Sequence, residues 1–136
     1  MTPTPYLIFQ GQCREALMTY AEVLGGEITT LMVPADMPAI EVPEERADWI
    51  MHSELTFDGG AIMASDDLMG SNAEMGGCFV MMELPGNDAA RTAFEALSRD
   101  GTIIMPYAPT PWSEGFGMLK DRFGTQWMLS SPSQGG

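Results

Sequence analysis

A single histidine, His52, lies two residues from Glu54 in the run Trp49-Ile50-Met51-His52-Ser53-Glu54-Leu55-Thr56-Phe57. Histidine is the side chain whose unperturbed pKa lies near neutrality, and residues two apart on an extended strand share a face. The alternation sets Trp49, Met51, Leu55 and Phe57 on one face and His52 with Glu54 on the other. Together they could serve as an acid/base pair, or as two of the three donors of a metal site, with Glu83 a further carboxylate for either use. The ordinary use of such a pair is a hydrogen bond that fixes the sheet, or a contact between copies of the chain. No Ser, His and Asp arrangement marks a nucleophilic triad, and any triad would have to use His52.

Other residues have binding rather than bond-making chemistry. Phe79, Met81 and Glu83 share a face of the run Cys78 to Leu84, and Gln126, Met128 and Ser130 share one in Thr125 to Ser130. With Phe9, His52, Glu54 and Trp112, the first three and Gln126 and Met128 are the expected ligand-lining residues: mostly apolar, with a few polar groups to orient a small molecule. Core packing is the competing use of each. Trp112 sits in a stretch from Pro106 to Gly115 where three prolines restrict the backbone, so it reads as a lid or as a buried loop anchor. Asp121 and Arg122 precede Phe123-Gly124 in a turn, where a salt bridge or turn hydrogen bond is the expected role. Asp66-Asp67 and Glu41, Glu44, Glu45 and Asp48 lack calcium-loop spacing and read as solvated surface.

The elements that must position these residues come twice. Tyr6 to Phe9 is a short apolar run, followed by a polar break and a helical pattern with Leu17, Tyr20, Ala21 and Leu24 at i, i+3, i+4 and i+7. Gly25-Gly26 ends that helix. Ile28 to Val33 reads as a strand, Pro34 to Asp48 as a loop, and Trp49 to Phe57 as a strand that turns through Asp58-Gly59-Gly60 into Ala61 to Ser65. After a Gly-rich connection, Asp66 to Gly77, the order repeats: Cys78 to Leu84, a helix with Ala90, Ala93, Phe94 and Leu97 on one face and Gly101 at its end, then strands at Thr102 to Met105, Phe116 to Asp121 and Thr125 to Ser130. The fold class is α+β, with two tandem βαβββ modules at about 4–66 and 77–131 in one domain, 1–131, and a frayed tail, 132–136. Each module covers one sheet face with its helix, so the bare faces need burial against each other or a partner chain, which implies a concave, largely antiparallel sheet surface.

Composition narrows the partners. The chain has 136 residues, a usual size for one domain. Nineteen Asp and Glu against six Lys and Arg give a net charge of −13, which repels a phosphate backbone and an anionic membrane surface alike. No apolar stretch approaches a membrane span, and Met1 to Phe9 lacks the basic start of a signal peptide. Cys13 and Cys78 have neither framework nor metal spacing and read as free thiols of a reducing compartment. The expectation is a cytoplasmic protein with no nucleic-acid or membrane partner. Most of the thirteen methionines read as core fillers.

A family resemblance emerges from these runs. Cys13-Arg14-Glu15-Ala16 through Tyr20-Ala21-Glu22-Val23-Leu24-Gly25-Gly26 resembles the first helix of the glyoxalase/bleomycin-resistance (vicinal-oxygen-chelate) superfamily. Met51-His52, Leu55, Met63-Ala64-Ser65-Asp66, Met105-Pro106, Trp112, Phe116-Gly117, Asp121-Arg122-Phe123-Gly124 and Trp127-Met128-Leu129 resemble its PhnB-like branch. The resemblance implies paired βαβββ modules, commonly completed by homodimerisation, with the ligand site in the concave sheet. Metal-dependent members take His or Glu ligands from the first and last strands of each module. That pattern falls here on Pro5, Ala64 (or Met63 in the neighbouring register), Phe79 and Met128, none of which offers an oxygen or imidazole donor. The metal site is therefore expected to be absent, and no cofactor is expected.

Labels attached to the branch, a role beside phosphonate metabolism and a ubiquinone-pathway methyltransferase, find no support in the residues. The first strand is followed by Gly11 alone rather than a Gly-rich nucleotide turn, and the six cations are scattered. The leading expectation is a metal-free, homodimeric, small-molecule-binding protein with a largely apolar pocket. The alternatives are an enzyme of lyase, isomerase or dioxygenase type using His52 with Glu54 or Glu83, and a dimeric interaction module without a ligand.

Overall fold

The computed structural model of the chain describes residues 2–39, 41–69 and 74–132, and the chain divides into two compact units, Met1–Glu74 and Met75–Gly136. The expected tail beyond Pro132, and residues 70–73 of the expected Gly-rich connection, lie outside the described residues.

The first unit runs β1 (Tyr6–Phe9), α1 (Cys13–Leu24), β2 (Glu27–Met32), β3 (His52–Phe57) and β4 (Gly60–Asp66). Its sheet has the order β1-β4-β3-β2, with β1 parallel to β4 and the other pairs antiparallel. Helix α1 turns Cys13, Ala16, Leu17 and Tyr20 inward, all fully buried. They meet a sheet face of Leu7, Phe9, Leu55, Ile62 and Ala64, and the Cys13 Sγ lies 3.6 Å from the Ser53 Oγ on that face. Burying these side chains supplies the unit's main stabilisation, at roughly 1.5–3 kcal/mol for each large one. Gly25 ends the helix at φ 80°, a left-handed conformation that glycine adopts without a Cβ clash, and donates its N–H to the Ala21 carbonyl.

The Asp66-Asp67 pair corrects the expectation of solvated surface. Asp66 is 3% and Asp67 8% exposed. The Asp66 Oδ1 accepts the Gly11 and Cys13 amides, both at 2.9 Å, and its Oδ2 accepts the Ile50 amide at 2.8 Å. Helix α1 has no cap from its own flanking side chain, Gln12. Asp66, from the end of β4, takes that role for the first turn, where unpaired N–H groups and the helix dipole favour a negative charge.

The second unit repeats the order with β5 (Val80–Glu83), α2 (Asn87–Ser98), β6 (Thr102–Thr110), β7 (Ser113–Lys120) and β8 (Gln126–Ser130). Its sheet order is β5-β8-β7-β6, again with one parallel pair, β5 with β8. Ala90, Ala93, Phe94 and Leu97, the predicted stripe of α2, are its buried residues. They cover the face that carries Leu119, Trp127 and Leu129, each fully buried. The helix ends differently from its counterpart. Asp100, not Gly101, takes the left-handed conformation, at φ 58°. Gly101 is required for another reason: a Cβ there would run into the Lys120 backbone carbonyl.

The expected loop from Pro106 to Gly115 is mostly strand. β6 continues through Pro106 and Pro109 to Thr110, a tight turn at Pro111-Trp112 follows, and β7 begins at Ser113. The prolines are tolerated because β6 is an edge strand, where the missing N–H can face away from the ladder. Trp112 is therefore the tip of a hairpin, 57% exposed, with its ring edge-on to Phe116 at 6.1 Å. Among the described residues no helix is long and apolar enough to cross a membrane.

Candidate functional site

Strand pairing builds a surface on the uncovered face of the second sheet. Met81 pairs with Met128, Met128 with Met118, and Met118 with Met105. Paired residues point to the same face, with Cβ atoms about 4.5–5.5 Å apart in the antiparallel pairs, so four thioethers form a row across all four strands. Leu119, Trp127 and Leu129 alternate with this row and point to α2, which fixes its direction away from the helix. Met81 and Met105, at the two ends, are 54% and 46% exposed. A parallel row on one side holds Thr102, Lys120 and Gln126, and one on the other holds Ala108, Phe116, Ser130 and Glu83. The Gln126 Nε2 donates to the Cys78 carbonyl at 2.8 Å, and Phe79, half-buried, precedes β5 in the alternation that includes Met81.

The first sheet has a more polar uncovered face. Tyr6 pairs with Met63, Met63 with Glu54, and Glu54 with Thr30. His52, paired with Met32, lies on this face with Glu54, as the alternation predicts. The two take different partners. The His52 Nδ1 lies 3.1 Å from the Tyr6 hydroxyl, and the two rings stack at 5.8 Å with 19° between their planes. The Glu54 Oε1 accepts the Thr29 hydroxyl at 3.2 Å. Phe9, expected to line a site, is 2% exposed in the core; strand alternation gives Tyr6 and Ile8 the uncovered face instead.

Of the expected residues, the structure brings Met81, Glu83, Gln126 and Met128 onto one face and His52 with Glu54 onto another, and it places Trp112 at a hairpin tip. Sequence reasoning missed Tyr6, Met105, Met118 and Lys120. Single-strand alternation was the available signal for Met118 and Lys120; their alignment with Met128 and Gln126 depends on inter-strand register, which no local pattern encodes.

Residues that would face a cation of the kind used by metal-dependent glyoxalase-fold proteins do not fit it. Ala64 lies in the core, fully buried, and Pro5 precedes β1, so the uncovered face presents Tyr6 and Met63. The second sheet presents Met81 and Met128. Neither the phenol and thioether of the first sheet nor the two thioethers of the second supply the imidazoles and carboxylates that hard and borderline ions require. Among the described residues no three His, Cys, Asp or Glu side chains gather as metal ligands.

Known proteins share the fold and part of the sequence. Protein YjdN of Escherichia coli K12 is 27% identical over 98% of this chain and 97% of its own. The crystal structure of PA1353 from Pseudomonas aeruginosa is 35% identical, with a TM-score of 0.89 over 97% of this chain and 98% of that one. A Bacillus cereus protein described as a putative 3-demethylubiquinone-9 3-methyltransferase, PhnB protein, matches with a TM-score of 0.80 at 24% identity, over 96% and 99% of the two chains. Glyoxylase/bleomycin-resistance and fosfomycin-resistance proteins share the fold at 12% and 10% identity, which speaks to architecture alone. The family model described as 3-demethylubiquinone-9 3-methyltransferase matches residues 2–130. The chain belongs to that family, the PhnB-like branch of the glyoxalase/bleomycin-resistance fold.

Proposed function

We propose that the protein binds a small, largely apolar molecule on the uncovered face of its second sheet and needs no hard or borderline cation to do so. The observation that carries this reading is the register of Met81, Met128, Met118 and Met105 across β5, β8, β7 and β6. Thioethers are polarizable and adaptable, so a row of them accepts an apolar body without demanding one shape. Glu83 and Gln126 at the margins supply the few polar groups that orient a ligand. Titration with the neutral dye N-phenyl-1-naphthylamine tests the face: a saturable fluorescence rise lost in Met128→Glu is expected, and a wild-type protein that leaves the dye dark overturns the reading. Metal analysis of purified protein tests the second half, since stoichiometric zinc, iron, manganese or nickel that survives dialysis would contradict it.

The protein acts in the cytoplasm as a homodimer on this reading. Cys13 and Cys78 are unbridged, and the nine-residue edge strand β6 leaves Ile103, Ile104 and Met105 exposed, an apolar edge that natural proteins cover. Light scattering that returns the mass of one chain at micromolar concentration counts against the dimer.

A second reading makes the protein an enzyme that uses His52. It is favoured by the Tyr6 hydroxyl at 3.1 Å from His52 Nδ1 on an accessible face, an arrangement in which a phenol and an imidazole can exchange a proton. His52→Ala should then abolish turnover while leaving fold and ligand affinity intact; unchanged turnover ends this reading.

A further inference from the structure

Lys120 is the single lysine of a chain with a net charge of −13. It closes β7, half-buried, and pairs with Gln126 on β8 and Thr102 on β6. Among the described residues no hydrogen bond or ion pair engages its ammonium. Arg46, Arg91 and Arg122, by contrast, each lie over an aromatic ring of their own unit. Its neighbour Asp121 turns to the backbone amides of Phe123 and Thr125 and to the Trp127 indole. The Lys120 ammonium thus keeps donors in hand on the face that carries the methionine row, two residues from Met118.

We propose that this face takes a small amphipathic monoanion, its acidic head on Lys120 and its apolar body along Met118, Met128 and Met81. This rests on the binding role given to the methionine row above and adds the ligand's charge and orientation. An ammonium has three donors and no acceptor, so it selects an anionic head. The Thr102 hydroxyl and the second N–H of the Gln126 Nε2, whose first goes to the Cys78 carbonyl, stand in the same row and can share it. Glu83 occupies the row beyond the methionines, roughly 13 Å along the strands from Gln126 at 3.3 Å per residue. A carboxylate there repels a head bound in reverse, so the two margins impose one direction. Of the chain's six cations, Lys120 is the one in the strand-paired rows of this face, so it sets the point of discrimination.

Two dyes with the same aromatic body separate the parts of this claim. 8-Anilinonaphthalene-1-sulfonate carries an anionic head, and N-phenyl-1-naphthylamine lacks it. In fluorescence titrations at low salt, Lys120→Met should weaken the sulfonate about tenfold or more and leave the neutral dye within about twofold, while Lys120→Arg retains both. Met128→Glu should weaken both dyes. Unchanged melting temperatures establish that each variant is folded. If Lys120→Met binds the sulfonate as the wild type does while the neutral dye still depends on Met128, the anion claim is overturned and the apolar face stands. If neither dye depends on Met128, both are overturned.

Discussion

Asp66 holds Ile50 from across the first unit: the Asp66 Oδ2 accepts the Ile50 amide at 2.8 Å, while its Oδ1 accepts Gly11 and Cys13 at the start of α1. One carboxylate therefore ties the end of β4, the first turn of the helix and the chain entering β3. Asp66→Asn keeps the shape but turns an amide N–H toward one of these donors, and it removes the charge that complements the helix terminus. A loss of about 2–4 kcal/mol is expected. Urea unfolding should show a lower midpoint with an unchanged slope; an unchanged midpoint refutes the assignment.

Cys13 is fully buried, and burial pushes its thiol up from 9.0 to about 12, an effect that the Ser53 hydrogen bond opposes and the nearby Asp66 charge augments. Well below pH 9.0 the thiol is protonated in both folded and unfolded chains and contributes no pH dependence. As pH rises past 9.0 the unfolded thiol ionises first, so stability falls progressively toward pH 12. Cys13→Ala should flatten that part of the decline in urea midpoints measured from pH 8 to pH 11. At neutral pH iodoacetamide should label exposed Cys78 and leave Cys13 untouched until the protein unfolds.

These two side chains also show where the sequence stops being informative. The α2 stripe from Ala90 to Leu97 and the alternation around His52 were legible because each is set within a few residues. Asp66 reads as surface in the sequence because its donors, Gly11 and Cys13, are 55 and 53 residues away. The sequence pattern of β6 stops at Met105 because Pro106 and Pro109 argue against a central strand, and nothing local announces that this strand lies at the edge. Phe9 is ambiguous between ligand face and core in the sequence because the choice between the two faces of β1 depends on where α1 settles. The methionine row and Lys120 required the register of four strands, which bulges in β6 shift between Ile103 and Thr110.

Gly117 lies where α2 meets β7. A Cβ on it would collide with the Phe94 ring and approach the Tyr107 Cα to 3.0 Å. Phe94 is 4% exposed and Tyr107 contributes backbone, so neither neighbour can withdraw cheaply. Gly117→Ala should cost about 1–3 kcal/mol through overpacking. Gly60→Ala, where a Cβ meets open space, should stay within about 0.5 kcal/mol. Thermal unfolding of the two variants checks the contrast, and equal melting temperatures would count against close helix–sheet contact at Gly117.

Trp127 is fully buried beside Met128, and its Nε1 donates to the Asp121 Oδ2 at 2.9 Å. The Asp121 Oδ1 accepts the Phe123 and Thr125 amides at 2.9 and 3.0 Å, so one carboxylate joins the β7–β8 turn to the core. Trp127→Phe leaves that oxygen without the indole donor and opens a void, for an expected loss of about 2–4 kcal/mol. Asp121→Asn can still accept from the turn but presents its NH₂ to the indole. If the two side chains act through each other, the double variant loses about 1 kcal/mol less than the sum of the single losses in urea unfolding. Strict additivity would separate the turn from the core. Coupling instead makes Asp121 a determinant of how β8 carries Met128 and Gln126, so both dyes should bind more weakly to Asp121→Asn although the residue lies off the binding face.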